Sequence, residues 1–149
     1  MDLPVRVALA TDHAGFALKE AIKEFLVEEG VDVIDVGTFS DESVDYPEII
    51  RKGCAVVLEQ QCPGIVLGGS GNGEAMAANK VPGIRCALVY SKETAELARQ
   101  HNDANVMSLG ARLTSEDDAK QFVRIFLTTE FEGGRHVKRV ENIEYPVAQ

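Results

Sequence analysis

Five apolar runs of strand length are spaced along the chain, and a helix signal follows each one. That alternation constrains the fold more than any other feature. Strands separated by helical crossovers cannot pair as hairpins, and right-handed crossovers lay them parallel with helices on both faces of the sheet. The runs are residues 5–10, 31–36, 65–67, 85–90 and 106–109.

The segments between them carry helical periodicity and stop signals. Leu18, Ala21, Ile22, Phe25 and Leu26 fall on one helical face, with Lys19, Glu20, Lys23 and Glu24 opposite, and Gly30 supplies a C-terminal stop. Pro47 suits the first turn of a helix leading toward Gln60. Further helices are expected from Glu74 to Lys80 and from about Lys92 to His101. Ser115 reads as an N-cap followed by acids, and Ala119, Phe122, Val123, Phe126 and Leu127 form a buried stripe behind it. The expected architecture is one α/β domain over residues 1–149, a doubly wound, parallel, five-stranded, Rossmann-like sheet. A basic helical tail, about 133–149, follows Gly133-Gly134.

Charge narrows the partners. With 24 acidic and 15 basic residues the formal charge is −9, which disfavours nucleic acid and anionic membranes. No segment has the apolar length of a membrane span and the N-terminus does not read as a signal peptide, so a cytoplasmic location is expected. The three cysteines, Cys54, Cys62 and Cys86, lack CxxC spacing and fit reduced thiols. Three scattered histidines lack ligand spacing, so neither a metal nor another cofactor is expected.

In such sheets ligands bind beyond the carboxyl ends of the strands. Five loops qualify, and the most informative joins the third strand to its helix: Gly68-Gly69-Ser70-Gly71-Asn72-Gly73-Glu74. Its glycines let backbone N–H groups converge on an anion, and the helix N-terminus adds partial positive charge. Glu74 is a carboxylate base beside an oxyanion site, as proton abstraction next to a carbonyl requires. Acids are also common in first turns because the dipole favours them, so spacing alone leaves both readings open. A dinucleotide fingerprint fits poorly: the loop follows the third strand, and no acid ends the next one. Asp12 and His13 end the first strand, where Asp12 serves chemistry or caps the following helix. His101 and Asn102 close a helix, where a histidine also satisfies carbonyls. Arg135 and Arg139, one helical turn apart, form a solvated basic face or grip one phosphate together.

Several motifs in one order resemble the ribose/galactose phosphate isomerase family, type B, across nearly the whole chain. They are Asp12-His13-Ala14-Gly15, Asp45-Tyr46-Pro47, Gly69-Ser70-Gly71-Asn72-Gly73 with Ala77-Ala78-Asn79-Lys80, Arg99-Gln100-His101-Asn102-Asp103-Ala104-Asn105, and Gly133-Gly134-Arg135-His136 with Arg139. The resemblance implies a metal-free aldose–ketose isomerisation through a cis-enediolate. Asp12 and His101 would open the furanose ring, Asn102 would orient the open sugar, and the backbone from Ser70 to Gly73 would stabilise the enediolate. Arg112, Arg135 and Arg139 would bind phosphate, with His13, Asp45, Tyr46, Gly69, Gly71 and Asn72 completing the substrate contacts. Many members place a cysteine base where Gly68 stands; this chain is similar to the branch that uses a glutamate. The implied partner is a second copy of the chain, in a homodimer or dimer of dimers whose tails serve each other's sites. Ribose 5-phosphate is the implied substrate, with four- and six-carbon sugar phosphates as alternatives and a non-catalytic sugar-phosphate or nucleotide binder as the other class.

Overall fold

The computed structural model describes residues 2–144, so the last part of the expected tail, 145–149, lies outside the described residues. Five strands form one parallel sheet: β1 (Arg6–Thr11), β2 (Asp32–Asp35), β3 (Gly64–Gly68), β4 (Cys86–Leu88) and β5 (Val106–Gly110). Their order is β2-β1-β3-β5-β4. The helices are α1 (Phe16–Glu28), α2 (Tyr46–Gln60), α3 (Asn72–Asn79), α4 (Lys92–Gln100), α5 (Glu116–Thr128) and α6 (His136–Glu141). A short 3-10 turn, His13–Gly15, precedes α1. Among the described residues no helix is long and apolar enough to cross a membrane.

The two-residue period of the strands splits the core into two layers. Val7, Leu9, Ile65, Leu67, Met107 and Leu109 face α1, α4 and α5, where they meet Ile22, Leu26, Ala95, Phe122 and Phe126. Ala8, Ala10, Val66 and Val106 face α2 and α3, against Ile50, Cys54, Val57 and Ala78. Each large aliphatic or aromatic side chain so buried contributes about 1.5–3 kcal/mol. Local signals set the ends as expected. Gly30 takes φ 84° after α1, and Ser115 caps α5 by accepting from the Asp118 N–H.

Lys19 is a correction. Periodicity sets it on the solvent face of α1, yet it is 0% exposed. Its Nζ donates to Asp35 Oδ2 at 2.5 Å and to Glu20 Oε1 at 2.9 Å, between the rings of Phe16 and Phe39. The end of β2 and the loop after it cover that side of the helix, so its polar face meets a carboxylate and two aromatics instead of water. Burial pushes the Asp35 carboxyl up, but bonds from Lys19, Lys23 and the Gly37 N–H outweigh burial and hold it below its ordinary range.

The strand order creates a switch point. From β1 the chain goes to β2 on one side, then crosses to β3 on the other. The loops leaving β1 and β3 therefore diverge at the carboxyl edge and leave a crevice between them. Thr11, fully buried, fastens that point: its Oγ1 donates to the carbonyls of Leu67 (3.1 Å) and Asp12 (3.0 Å).

Candidate active site

Two groups of expected site residues emerge, at opposite edges of the sheet. The carboxyl edge holds Asp12, His13, Asp45, Tyr46, the loop from Gly68 to Glu74, and Arg112. Glu74 is the third residue of α3, in its first turn, and is only 4% exposed. A Cβ built on Gly68 would fall on the Glu74 carboxylate, so the missing side chain at 68 is the space the carboxylate occupies. Gly71 turns the loop with φ 84°, a conformation that favours glycine, and its carbonyl accepts from Ser108 Oγ at 2.7 Å. Ser70 Oγ accepts from the Asn72 N–H at 3.2 Å, which steadies the first turn of α3.

Asp12 serves both of its readings. One oxygen caps the 3-10 turn, accepting from the N–H groups of Ala14 (2.9 Å) and Gly15 (3.3 Å). The same carboxylate faces Glu74 across the crevice. Burial chiefly pushes the Glu74 carboxyl above its ordinary range, the Asp12 charge and hydrogen bond push it the same way, and its own backbone N–H opposes them. Two close carboxylates in a partly dry site hold one proton more readily than two ordinary ones. The result is a base stronger than a surface glutamate.

The other carboxyl-edge residues converge on the same loop. Arg112 follows β5, and the bonds Ala111 N–H to Gly68 O (2.8 Å) and Arg112 N–H to Gly69 O (3.0 Å) lay its guanidinium beside Gly69. The Tyr46 hydroxyl lies against Gly73. His13 Nδ1 accepts from the Val44 N–H at 3.2 Å, tying the loop that ends in Asp45 to the end of β1. Asp45 stands at the N-cap of α2 without a side-chain capping bond among the described residues.

His101 and Asn102 lie elsewhere, away from the carboxyl edge that holds Asp12, although the resemblance assigns Asp12 and His101 one shared task. Helix α4 runs back against the strand direction, so its end reaches the amino edge, where β5 begins. There Arg85 donates to the carbonyls of Asn102 (3.2 Å) and Asp103 (2.8 Å), and Arg99 pairs with Asp103 at 3.0 Å. Asp103 takes φ 46°, and this double clamp sets the turn that presents His101. The His101 ring stacks on His136 at 4.3 Å, with Glu132 beside both. Arg135 caps α6 and Arg139 lies within it, both exposed. Among the described residues Arg112, Arg135 and Arg139 form no ion pair, and neither does the exposed Arg51 on α2, whereas Arg6, Arg85, Arg99 and Arg124 each do.

Sequence reasoning passed over Thr11, Lys19, Glu132 and His136. For Thr11, its place at the carboxyl end of a strand was the available signal; for Glu132 and His136, their place beside the Gly133-Gly134 turn. Two of the three histidines, His101 and His136, far apart in sequence, meet in space. The cysteines lie away from the loop: burial pushes Cys54 up to about 11 and raises Cys62 and Cys86 as well.

Residues 7–143 match the Ribose/Galactose Isomerase family. The chain is 47% identical over 140 residues to ribose-5-phosphate isomerase B of Mycolicibacterium paratuberculosis, covering 92% of this chain and 88% of that protein. It is 44% identical over 139 residues to the Escherichia coli protein of that name, covering 93% of each. The solved ribose 5-phosphate isomerase of Thermotoga maritima superposes with a TM-score of 0.92 at 45% identity, over 94% of this chain and 97% of that one. The Mycoplasma genitalium isomerase B, solved with bound ribulose 5-phosphate, gives 0.88 at 40% identity, over 93% of each chain. With the family match spanning nearly its whole length and a shared fold beneath it, the chain belongs to the ribose/galactose isomerase family.

Proposed function

We propose that this chain interconverts D-ribose 5-phosphate and D-ribulose 5-phosphate, with Glu74 moving the proton between carbons 1 and 2. The observation that carries the reading is the Glu74 carboxylate: buried against Gly68, raised in basicity by burial and Asp12, and set at the mouth of a glycine loop on a helix N-terminus. A non-catalytic binder has no use for a base kept in so unfavourable a place. Glu74 removes the proton from carbon 2 of the open aldose, charge develops on the carbonyl oxygen O1, the hydroxyl proton passes from O2 to O1, and Glu74 returns its proton to carbon 1, leaving the carbonyl at carbon 2. Backbone N–H groups from Ser70 to Gly73 take that charge, and each such donor contributes about 3–4 kcal/mol in a transition state.

Ring opening and phosphate binding fall to the remaining groups. Asp12 and His101 assist opening of the furanose, Asn102 orients the chain, and Arg112, Arg135 and Arg139 hold the phosphate. His101, Asn102, Arg135 and Arg139 belong to the amino edge, so one chain does not assemble a whole site. A two-fold partner packed antiparallel brings its amino edge, with residues 133–144, over this chain's carboxyl edge, and the same contact repeats on the other side of the axis. Arg112, Arg135 and Arg139 carry no carboxylate partner among the described residues, which leaves their guanidinium groups available to a dianionic phosphate.

Glu74→Gln tests it. The variant should bind ribose 5-phosphate and lose roughly 10²–10⁴-fold in turnover, together with solvent-hydrogen exchange into the bound sugar. Near-normal exchange in that variant would remove Glu74 from the mechanism. Assays on four-, five- and six-carbon sugar phosphates fix the preferred chain length.

A further inference from the structure

We propose that His101, Glu132 and His136 form a binding site for a divalent cation of the zinc class. One donor atom from each lies within 4.8 Å of the others. His136 Nε2 is 3.6 Å and His101 Nε2 3.9 Å from Glu132 Oε1, both too long for hydrogen bonds. His136 is only 6% exposed, and its Nε2 has no hydrogen-bond partner among the described residues. A buried polar nitrogen left without a partner is unfavourable and uncommon. Two imidazoles and a carboxylate around a gap supply the donor set that would satisfy it.

The backbone holds the three donors together. The Glu132 N–H donates to the Gln100 carbonyl at 3.1 Å, which locks Glu132 beside the residue preceding His101. The His136 N–H donates to Gly133 O at 3.1 Å, so the tight turn after Glu132 returns the second histidine to it. The rings are stacked 16° from parallel. A tetrahedral zinc ion has bonds of about 2.0–2.2 Å and donors about 3.3 Å apart. The two carboxylate–imidazole gaps of 3.9 and 3.6 Å close by several tenths of an ångström, and the widest donor separation, up to 4.8 Å, closes by as much as about 1.5 Å as the stacked rings tilt toward one ion. His101 and Glu132 are partly exposed, which leaves a fourth position for water.

The donor chemistry selects the ion. Imidazole with carboxylate suits zinc, cobalt, nickel and copper, whereas magnesium and calcium take oxygen ligands. Arg135 and Arg139 flank His136 and repel a dication held by charge alone, which again favours an ion bound through nitrogen. A bound ion takes His101 away from the sugar, so the site is inhibitory. That consequence rests on the ring-opening role proposed for His101 above.

Zinc titrated by calorimetry into the chelator-stripped full chain should bind at one ion per chain, with cobalt(II) absorption as a second probe. Glu132→Gln and His136→Ala should each weaken binding by ~10-fold or more. Glu132 is exposed, so its substitution leaves the fold intact even if His136→Ala does not fold. Cys54, Cys62 and Cys86 are unchanged in both variants and serve as the internal control. Absence of binding, or affinity that neither variant alters, overturns the site. Turnover gives a separate readout: zinc should inhibit reversibly on chelation, and inhibition should weaken in Glu132→Gln in step with affinity. Binding that follows Glu132 and His136 without inhibition upholds the site and refutes the ring-opening role of His101.

Discussion

The carboxyl and amino edges of this sheet are built differently, and the difference divides the chemistry. At the carboxyl edge the groups are buried and fixed by backbone: Glu74 against Gly68, Asp12 capping a turn, Thr11 bonded across the switch point. Such surroundings raise a carboxylate's basicity and hold an oxyanion cradle in place. At the amino edge the groups are exposed or half-exposed, with Arg135 and Arg139 unpaired and His101 held mainly by its ring stack. That edge is suited to meeting something outside the chain. The function proposed above joins the base and oxyanion cradle of one copy to the phosphate and ring-opening groups of a second.

The largest effect breaks or confirms that division directly. Glu74→Gln and the double variant Arg135→Ala/Arg139→Ala should each be nearly inactive. Mixed under exchanging conditions, they should recover about a quarter of the wild-type sites at random pairing, because each mixed dimer then holds one whole site. A mixture that stays inactive would mean that each tail serves its own chain's site.

Gly68→Ala probes the carboxyl edge without removing a functional group. Its methyl must displace the Glu74 carboxylate, and a displacement of about 1 Å costs on the order of 10²-fold in turnover. Unchanged kcat would show that Glu74 acts from another position. His101→Asn probes the amino edge: about a tenfold loss is expected on ribose 5-phosphate, a barrier increase of about 1.4 kcal/mol. A four-carbon sugar phosphate, which cannot close a furanose through its phosphorylated hydroxyl, should lose little. Equal losses on both substrates would move His101 out of ring opening.

Stability distinguishes the edges more gently. Lys19→Met strips Asp35 of a fully buried partner and should destabilise the chain by about 3 kcal/mol in urea unfolding, near the lower end of such losses because Lys23 and the Gly37 N–H remain. A loss too small to measure would make the pair dispensable. Glu74 gives the smallest effect and the opposite sign. Its carboxyl is raised in the folded chain, so its favourable contribution is whole below the unfolded value of 4.5 and is lost as pH rises through the folded value. Glu74→Gln should therefore melt above the wild type at pH 8 and lose that advantage at pH 4. A base that destabilises its own fold at working pH is the mark of a functional carboxylate, and equal melting at both pH values would count against it.

By itself the sequence determined whatever depends on neighbours a few residues apart. Strand and helix alternation follows from periods of two and 3.6, and the helix ends follow from Gly30 and Ser115. The anion loop and its first-turn carboxylate were legible because a glycine cluster and a helix start stand together in the chain. Tertiary structure alone decided the rest. The order β2-β1-β3-β5-β4 is a matter of long-range pairing, and it brings Asp12 to Glu74 across a switch point that no local pattern encodes. Lys19 reads as a surface lysine because periodicity reports a helix face but not what later packs over it; Asp35, Phe16 and Phe39 make that decision. The direction of α4 sends His101 to the far edge, where a turn after α5 meets it with Glu132 and His136. Secondary structure is set by bonds between close neighbours, whereas a site is set by which ends of distant elements the packed core brings into contact.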